Sequence, residues 1–413
     1  MTTPLLPVED HRARVLALLT DGPGAGPGAG AATETVPTAE ARGRVLAAAV
    51  VATEPLPAFD NSAMDGYAVR AAEVAAAAPE APVTLPVAGD VPAGAAPGVL
   101  APGTALRIMT GAPVPDGADA IVEVEQTDGG TETVAVRAAR EAGSFVRPAG
   151  SDLAAGATAL APGATLGAAQ IGLLAALGVT EVAVRRRPRV LVVSTGSELA
   201  EDPQPGSGQI RDSNGVMLAA AVEGAGAVSV RRLWVADDVP AFLGLLDDEL
   251  AGGGIDLVLT TGGVSAGAYE VVKEGLGPRG VEFLKVAMQP GMPQGAGRYD
   301  GVPVVCLPGN PVSALVSFEA FVRPALRAAG GHAVTLRPTL EARITAAVAS
   351  IPGKRQLRRG RLDRAAGTVE VWGPPGSGFL GWFAGADCLI DLPPETTGVA
   401  AGERVAVWDL SDV

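Results

Sequence analysis

Between Arg189 and Ala329 the sequence alternates short apolar runs with amphipathic ones. Arg189–Ser194, Val228–Val235, Leu257–Thr260 and Val302–Leu307 read as strands, and Ser213–Glu223, Val239–Leu250 and Pro311–Ala329 as helices. Such alternation predicts an α/β domain with a mostly parallel sheet, because parallel neighbours need a crossover between them. Ligands of such sheets gather beyond the carboxyl ends of the strands. Three of these strands run into polar loops that contain glycine: Ser194-Thr195-Gly196-Ser197-Glu198, Thr260-Thr261-Gly262-Gly263-Val264-Ser265 and Leu307-Pro308-Gly309-Asn310-Pro311-Val312-Ser313. Glycine lets backbone approach a ligand closely, and a helix N-terminus offers N–H groups to an anion. Asn310 suits the N-cap and Pro311 the first position of the last helix. Three such loops at equivalent places predict one anion-binding crevice, and Asp212 and Ser213 open the helix beside the first of them.

On either side of this region the periodicity changes. Val8–Leu19 and Thr38–Val50 read as helices, with Thr38 as an N-cap. Asp21–Ala32 is a Gly/Pro/Ala run that reads as a flexible surface insertion. From about Glu54 to Ala142, short apolar runs between Gly/Pro turns (Val83–Val87, Ala105–Met109, Ala120–Val124, Thr133–Val136) predict a small β domain. Helix returns at Gly167–Leu177, so the β domain reads as an insertion into an elongated helical one. After Gly331 the strands Thr335–Ile344, Gln356–Leu362, Thr368–Val371, Cys388–Leu392 and Arg404–Trp408 predict a C-terminal β domain. The expected domains are therefore 1–53 with 143–187, 54–142, 188–330 and 331–413.

Composition narrows the chemistry. Two cysteines (Cys306, Cys388) and two histidines (His11, His332) leave no disulfide framework, cysteine metal cluster, histidine metal site or Ser-His-Asp triad to expect. Metal chemistry would have to run through oxygen ligands, which favour Mg²⁺. A net charge of −14 argues against non-specific nucleic-acid binding. The N-terminus lacks the order of a signal peptide, and the most apolar run, Leu166–Val179, is too short to span a bilayer. A cytoplasmic protein with no membrane partner is expected. The carboxylates Glu198, Asp212, Asp237, Asp238 and Glu270 belong to the crevice region, although Asp237 and Asp238 also precede a helix, where acids suit the dipole. With Asp65 and Asp152 they could hold Mg²⁺ between phosphates.

Phe59-Asp60-Asn61-Ser62-Ala63-Met64-Asp65-Gly66-Tyr67-Ala68-Val69 packs acids, an amide and a hydroxyl between apolar residues. Alone it reads as a turn or helix cap. Together with RIMTGAPVP, STGSEL, GQIRDSN, TTGGVSAG, FLKVAMQPG and CLPGNPVSA, in that order, it resembles the molybdopterin molybdenumtransferase (molybdenum insertase) family over nearly the whole chain.

The resemblance implies four domains: an elongated linker, an inserted β domain, a molybdopterin-binding α/β domain and a C-terminal β-barrel-like domain. It implies a homodimer whose active site lies between the α/β domain of one subunit and the inserted domain of the other. The reaction implied takes adenylylated molybdopterin and molybdate and, with Mg²⁺, releases AMP and molybdenum cofactor. Active-site roles fall to Asp65, Thr110, Asp152, Glu198, Asp237 (or Asp238), Glu270 and Lys285, with Asp65 and Glu198 as metal ligands. Ser265, Pro308, Pro311 and Ser313 would shape the pterin and oxyanion pocket. Two departures stand out. Glu270 replaces the family's usual Asp, and Gln289 and Met292 stand where lysines are common. Two other readings compete: a molybdopterin adenylyltransferase, which lacks the inserted and C-terminal β domains, and a non-enzymatic scaffold of the same fold.

Overall fold

The structure, a computed structural model, describes residues 4–21, 32–94, 96, 98–200, 205–264 and 270–411. Its contacts divide the chain into two compact units, Met1–Thr35 with Gly43–Ala47 and Ala183–Val413, and Val36–Arg42 with Ala48–Val182. Most of the Gly/Pro/Ala insertion expected at Asp21–Ala32 lies outside the described residues.

The larger unit is organised by a six-stranded sheet in the order 228–235, 189–195, 257–261, 302–307, 293–299, 281–285. The first four strands are parallel and the last two antiparallel. Alternation along each strand explains why helices cover both faces. Val190, Val192, Leu257, Leu259, Val305 and Leu307 pack one way, against Leu218, Val222, Val316 and Phe321. Leu191, Val193, Val258, Val304 and Cys306 pack the other way, against Phe242, Leu246, Val272 and Leu276. The C-terminal strands 355–363, 368–371, 339–344, 404–409 and 388–392 pair in that order, and 388–392 pairs back onto 355–363, closing a five-stranded barrel. Closure leaves these five strands no open edge.

The smaller unit carries a five-stranded sheet in the order 120–123, 66–69, 105–108, 83–91, 133–136. Gly66 is obligatory there: a Cβ on it would sit 2.0 Å from the Val122 carbonyl oxygen.

One expectation needs correction. No helix spans Thr38–Val50. Thr38 is drawn to distant backbone, its hydroxyl donating to Val179 O at 2.7 Å and its N–H to Thr180 O at 2.8 Å, and Gly43 turns left-handed at φ 76°. Only a 3₁₀ turn, Thr38–Glu40, remains. The first helix forms at Val8–Thr20. It packs in the larger unit, where Val8 and Val15 enter the sheet core. The long helix expected at Pro311–Ala329 forms, but as α-helix at 311–317 and 323–329 around a π turn at Phe318–Val322.

His11, on the first helix, is fully buried, edge-on to Phe321 at 4.6 Å, and neither ring nitrogen has a hydrogen-bond partner among the described residues. Burial first, and the Arg14 charge second, push its pKa down from 6.5 to about 4. The folded pKa lies below the unfolded one, so this contribution to stability is complete above about pH 6.5 and is lost as pH falls through 4. Going from pH 7 to pH 5, the wild type should lose about 2 kcal/mol more than His11→Leu. Urea midpoints of both proteins at both pH values test this; parallel losses would contradict it. His332, also pushed down to about 4 by burial and nearby arginines, leaves some slope in both.

Candidate functional site

The carboxyl ends of strands 189–195, 257–261 and 302–307 open into a cleft of about 1000 Å³. The three polar loops meet there because glycine permits it. A Cβ on Gly262 (φ 97°) would lie 2.4 Å from Thr195 O, and Gly309 packs against Gly262 with 3.4 Å between its Cβ position and the Gly262 Cα. Ser194, Thr195, Gly196, Glu198, Asp212, Ser213, Asp237, Gly262, Gly263, Glu270, Pro308, Gly309, Asn310, Pro311 and Ser313 all line the cleft, as the sequence led us to expect.

Their roles divide. Asp212 caps the helix 213–224: its Oδ1 accepts from Gly215 N at 2.8 Å and from Ser194 Oγ at 2.9 Å. Asp237 and Ser197 pair reciprocally, Ser197 N donating to Asp237 Oδ2 at 2.9 Å and Asp237 N to Ser197 Oγ at 3.1 Å, which fixes the turn before Glu198. Glu198 itself is exposed, and its carboxylate makes no hydrogen bond or ion pair among the described residues. Its carboxylate lies over Gly196, where an added Cβ would meet Oε2 at 2.5 Å. Glu270 is buried at the start of the helix Val271–Leu276.

Asp238 and Lys285 do not line the cleft. Asp238 spends its carboxylate capping the helix 239–251, accepting from Ala241 N at 2.7 Å. Lys285 is exposed at the end of the edge strand 281–285. Ser265 lies outside the described residues.

Three contributors to the cleft were not anticipated. Asn214 spans two loops, its Nδ2 donating to Thr261 Oγ1 at 3.0 Å and to Gly309 O at 2.6 Å. Its position in GQIRDSN, just past a helix start, was the available signal. Arg211 brings the lining's one guanidinium among the described residues. Pro375–Gly378 enter from the C-terminal barrel region, with Ser377 O accepting from Val312 N at 3.1 Å. Nothing local in that stretch reports a contact so distant in sequence.

In the smaller unit, strand 66–69 runs antiparallel to 105–108 with Gly66 opposite Ile108, so Asp65 and Thr110 meet just beyond the paired ends. Asp65 Oδ1 accepts from Thr110 N at 2.6 Å and from Thr110 Oγ1 at 2.8 Å. These bonds, the backbone one first, hold the exposed carboxyl below its ordinary pKa, so it stays ionised at neutral pH. Oδ2 has no hydrogen bond among the described residues. Asp152 is exposed and lies in the same unit.

The described residues contain no group of three or more His, Cys, Asp or Glu placed to hold a metal ion. The donor chemistry nevertheless fits Mg²⁺, which binds through one or two carboxylates when phosphates complete its shell. Glu198 offers such a carboxylate, whereas Asp212 and Asp237 are committed to backbone N–H groups. The cleft's charged lining is Glu198, Asp212, Asp237 and Glu270 against Arg211, so an anion bound there needs added cations.

Residues 6–178 match the MoeA N-terminal region (domain I and II), 191–328 a probable molybdopterin binding domain, and 341–410 the MoeA C-terminal region (domain IV). Molybdopterin molybdenumtransferase 2 of Mycobacterium tuberculosis (strain ATCC 25618 / H37Rv) is 55% identical over 386 residues, covering 91% of this chain and 95% of that protein. The chain belongs to the molybdopterin molybdenumtransferase family. Molybdopterin molybdenumtransferase 1 of the same strain is 39% identical over 400 residues, 90% of this chain and 93% of that one. The crystal structure of the molybdopterin biosynthesis MoeA protein from Pyrococcus horikoshii OT3 superimposes with a TM-score of 0.82 at 28% identity, covering 98% of this chain and all of that one. In this family member, the stretch matching the probable molybdopterin binding domain supplies every cleft residue except Pro375–Gly378, which belong to the C-terminal region. The inserted and C-terminal regions that a molybdopterin adenylyltransferase would lack are both matched. No helix among the described residues is long and apolar enough to cross a membrane.

Proposed function

We propose that the protein completes molybdenum cofactor biosynthesis: it takes adenylylated molybdopterin and molybdate, places molybdenum on the pterin dithiolene and releases AMP. The observation that carries this reading is the convergence of the three strand-end loops on one cleft, with the unpaired Glu198 carboxylate over Gly196, in a chain so close to named molybdenumtransferases. The Gly262, Gly263 and Gly309 backbone and the start of the helix at Pro311 suit the anionic end of the substrate. Glu198 and Asp65 are the carboxylates to hold Mg²⁺, which when bound neutralises phosphate and oxyanion charge. Asp237 and Ser197 keep the Glu198 turn in place, and Asn214 keeps the second and third loops together. The active molecule in this reading is a homodimer, the Asp65–Thr110 loop of one copy serving the cleft of the other, and its compartment is the cytoplasm.

Incubation of the purified protein with adenylylated molybdopterin, Mg²⁺ and molybdate should release AMP, and omission of molybdate should stop the release of cofactor. Tight pterin binding with no AMP would favour a scaffold instead, because a scaffold has no use for Glu198.

A further inference from the structure

A second cavity, of about 510 Å³, shares no lining residue with the cleft. It lies between the first helix, the π turn at 318–322 and the C-terminal barrel. Its charged lining is Arg12, Arg337, Arg355 and Arg404 with Glu319 and Asp391. Both carboxylates are already engaged. Arg337 grips Glu319 through Nε at 2.8 Å and Nη2 at 3.1 Å, and Arg355 Nε donates to Asp391 Oδ1 at 2.7 Å. Outside the lining, Glu9 pairs with Arg355, and Glu341 reaches Arg404 at 3.3 Å on the exposed rim.

Arg12 is differently placed. Its Nε donates to Ala320 O at 2.9 Å, and no carboxylate pairs with it among the described residues. Ala320 belongs to the π turn, where the wider helical step loosens the regular ladder and turns a carbonyl toward Arg12. The guanidinium stands 6.0 Å from the centroid of the Trp408 ring, and that ring is held in turn by Nε1–H donating to Asp391 Oδ2 at 3.0 Å. Arg12 and Trp408 are thus both oriented before any ligand arrives, which lowers the entropy lost on binding. Thr339 and Thr396 add hydroxyls, and Leu336, Val399 and Val405 an apolar wall. Burial, and then the neighbouring Arg355 charge, lower the Arg12 pKa, against the smaller opposing effects of Glu9 and Asp391.

We propose that this cavity is a second ligand site, for a small organic carboxylate: its carboxylate on the Arg12 guanidinium and its apolar body against Trp408. The volume falls in the range of small-molecule sites, and the planar guanidinium fork matches a carboxylate.

Benzoate is a suitable probe, titrated at constant ionic strength into protein carrying ¹⁵N in its four tryptophan indoles. Two of those indoles report on different places. Trp408 lines the second cavity, whereas Trp234 donates from Nε1 to Gly196 O beside the cleft, at 3.0 Å. The Trp408 indole resonance, assigned by its loss in Trp408→Phe, should shift saturably while Trp234 stays still. Arg12→Gln should weaken binding at least about tenfold, and Arg12→Lys, which keeps the charge but loses the fork, should weaken it less. A Trp408 resonance that does not move, or moves without saturating, overturns the proposal. So does unchanged affinity in a folded Arg12→Gln protein, or a shift of Trp234 with the same midpoint, which would place benzoate in the cleft. If Arg12→Gln fails to fold, the wild-type titration and Arg12→Lys decide the matter.

Discussion

Glu198→Gln should lower AMP release at least about a hundredfold, on the order of 3 kcal/mol of transition-state stabilisation. In the proposed reaction the substrate would bring a phosphoanhydride and molybdate a double negative charge, to a cleft lined by four carboxylates and one arginine. Like charges brought together in a partly dry site repel by several kcal/mol, which is why the proposed reaction calls for a divalent cation. Glu198 is the carboxylate of the cleft that no backbone N–H or guanidinium among the described residues has claimed. The amide of glutamine fits the same space over Gly196 but carries no charge. Folding should change little, because an exposed, unpaired carboxylate contributes little to stability. Steady-state AMP release and thermal unfolding of the two proteins, run together, check both halves. Unchanged AMP release would remove Glu198 from the chemistry, and a lost fold would make it structural.

Asp65→Asn should abolish metal insertion while leaving pterin binding nearly intact. The amide oxygen can still accept from Thr110 N and Oγ1, so the loop geometry survives the substitution. What disappears is the negative charge that a hard cation requires. Normal turnover in the variant would reduce Asp65 to a turn residue. The pair of variants also tests the homodimer. If each site joins Asp65 of one copy to Glu198 of the other, mixed dimers of Asp65→Asn and Glu198→Gln contain one intact site and one doubly altered site. Equal mixing with free exchange should then restore about a quarter of wild-type activity. A site built within one copy would restore none.

The α/β region was legible because its strands are buried on both faces and their ends are marked by Gly-containing polar loops, which report architecture and ligand in one pattern. Residues 228–235 and 302–307 form strands with the bounds the apolar runs suggested, and 388–392 does the same in the barrel. Closure of that barrel through 355–363 and 388–392 was not written in either strand alone, since pairing partners are a property of register rather than of local pattern. The misread helix at Thr38–Val50 has the same origin: Thr38 has the local chemistry of a cap, but its donors are satisfied by residues 179 and 180. Within the site, Asp212 and Asp237 illustrate the ambiguity of acids next to helices and turns. Both line the cleft, and only the hydrogen bonds show them holding backbone. The approach of Pro375–Gly378 to the cleft, like that of Arg12 to Trp408, joins segments too distant for any motif to connect.

In the proposed reaction, loss of AMP and gain of molybdenum are one event. Its most direct test is the ratio of molybdenum bound to the released pterin to AMP formed, measured on the same reaction by metal mass spectrometry and chromatography. Transfer predicts equal amounts at every time point, with both falling together in Glu198→Gln. AMP that accumulates without molybdenum on the pterin would mean simple hydrolysis, and would contradict the assignment.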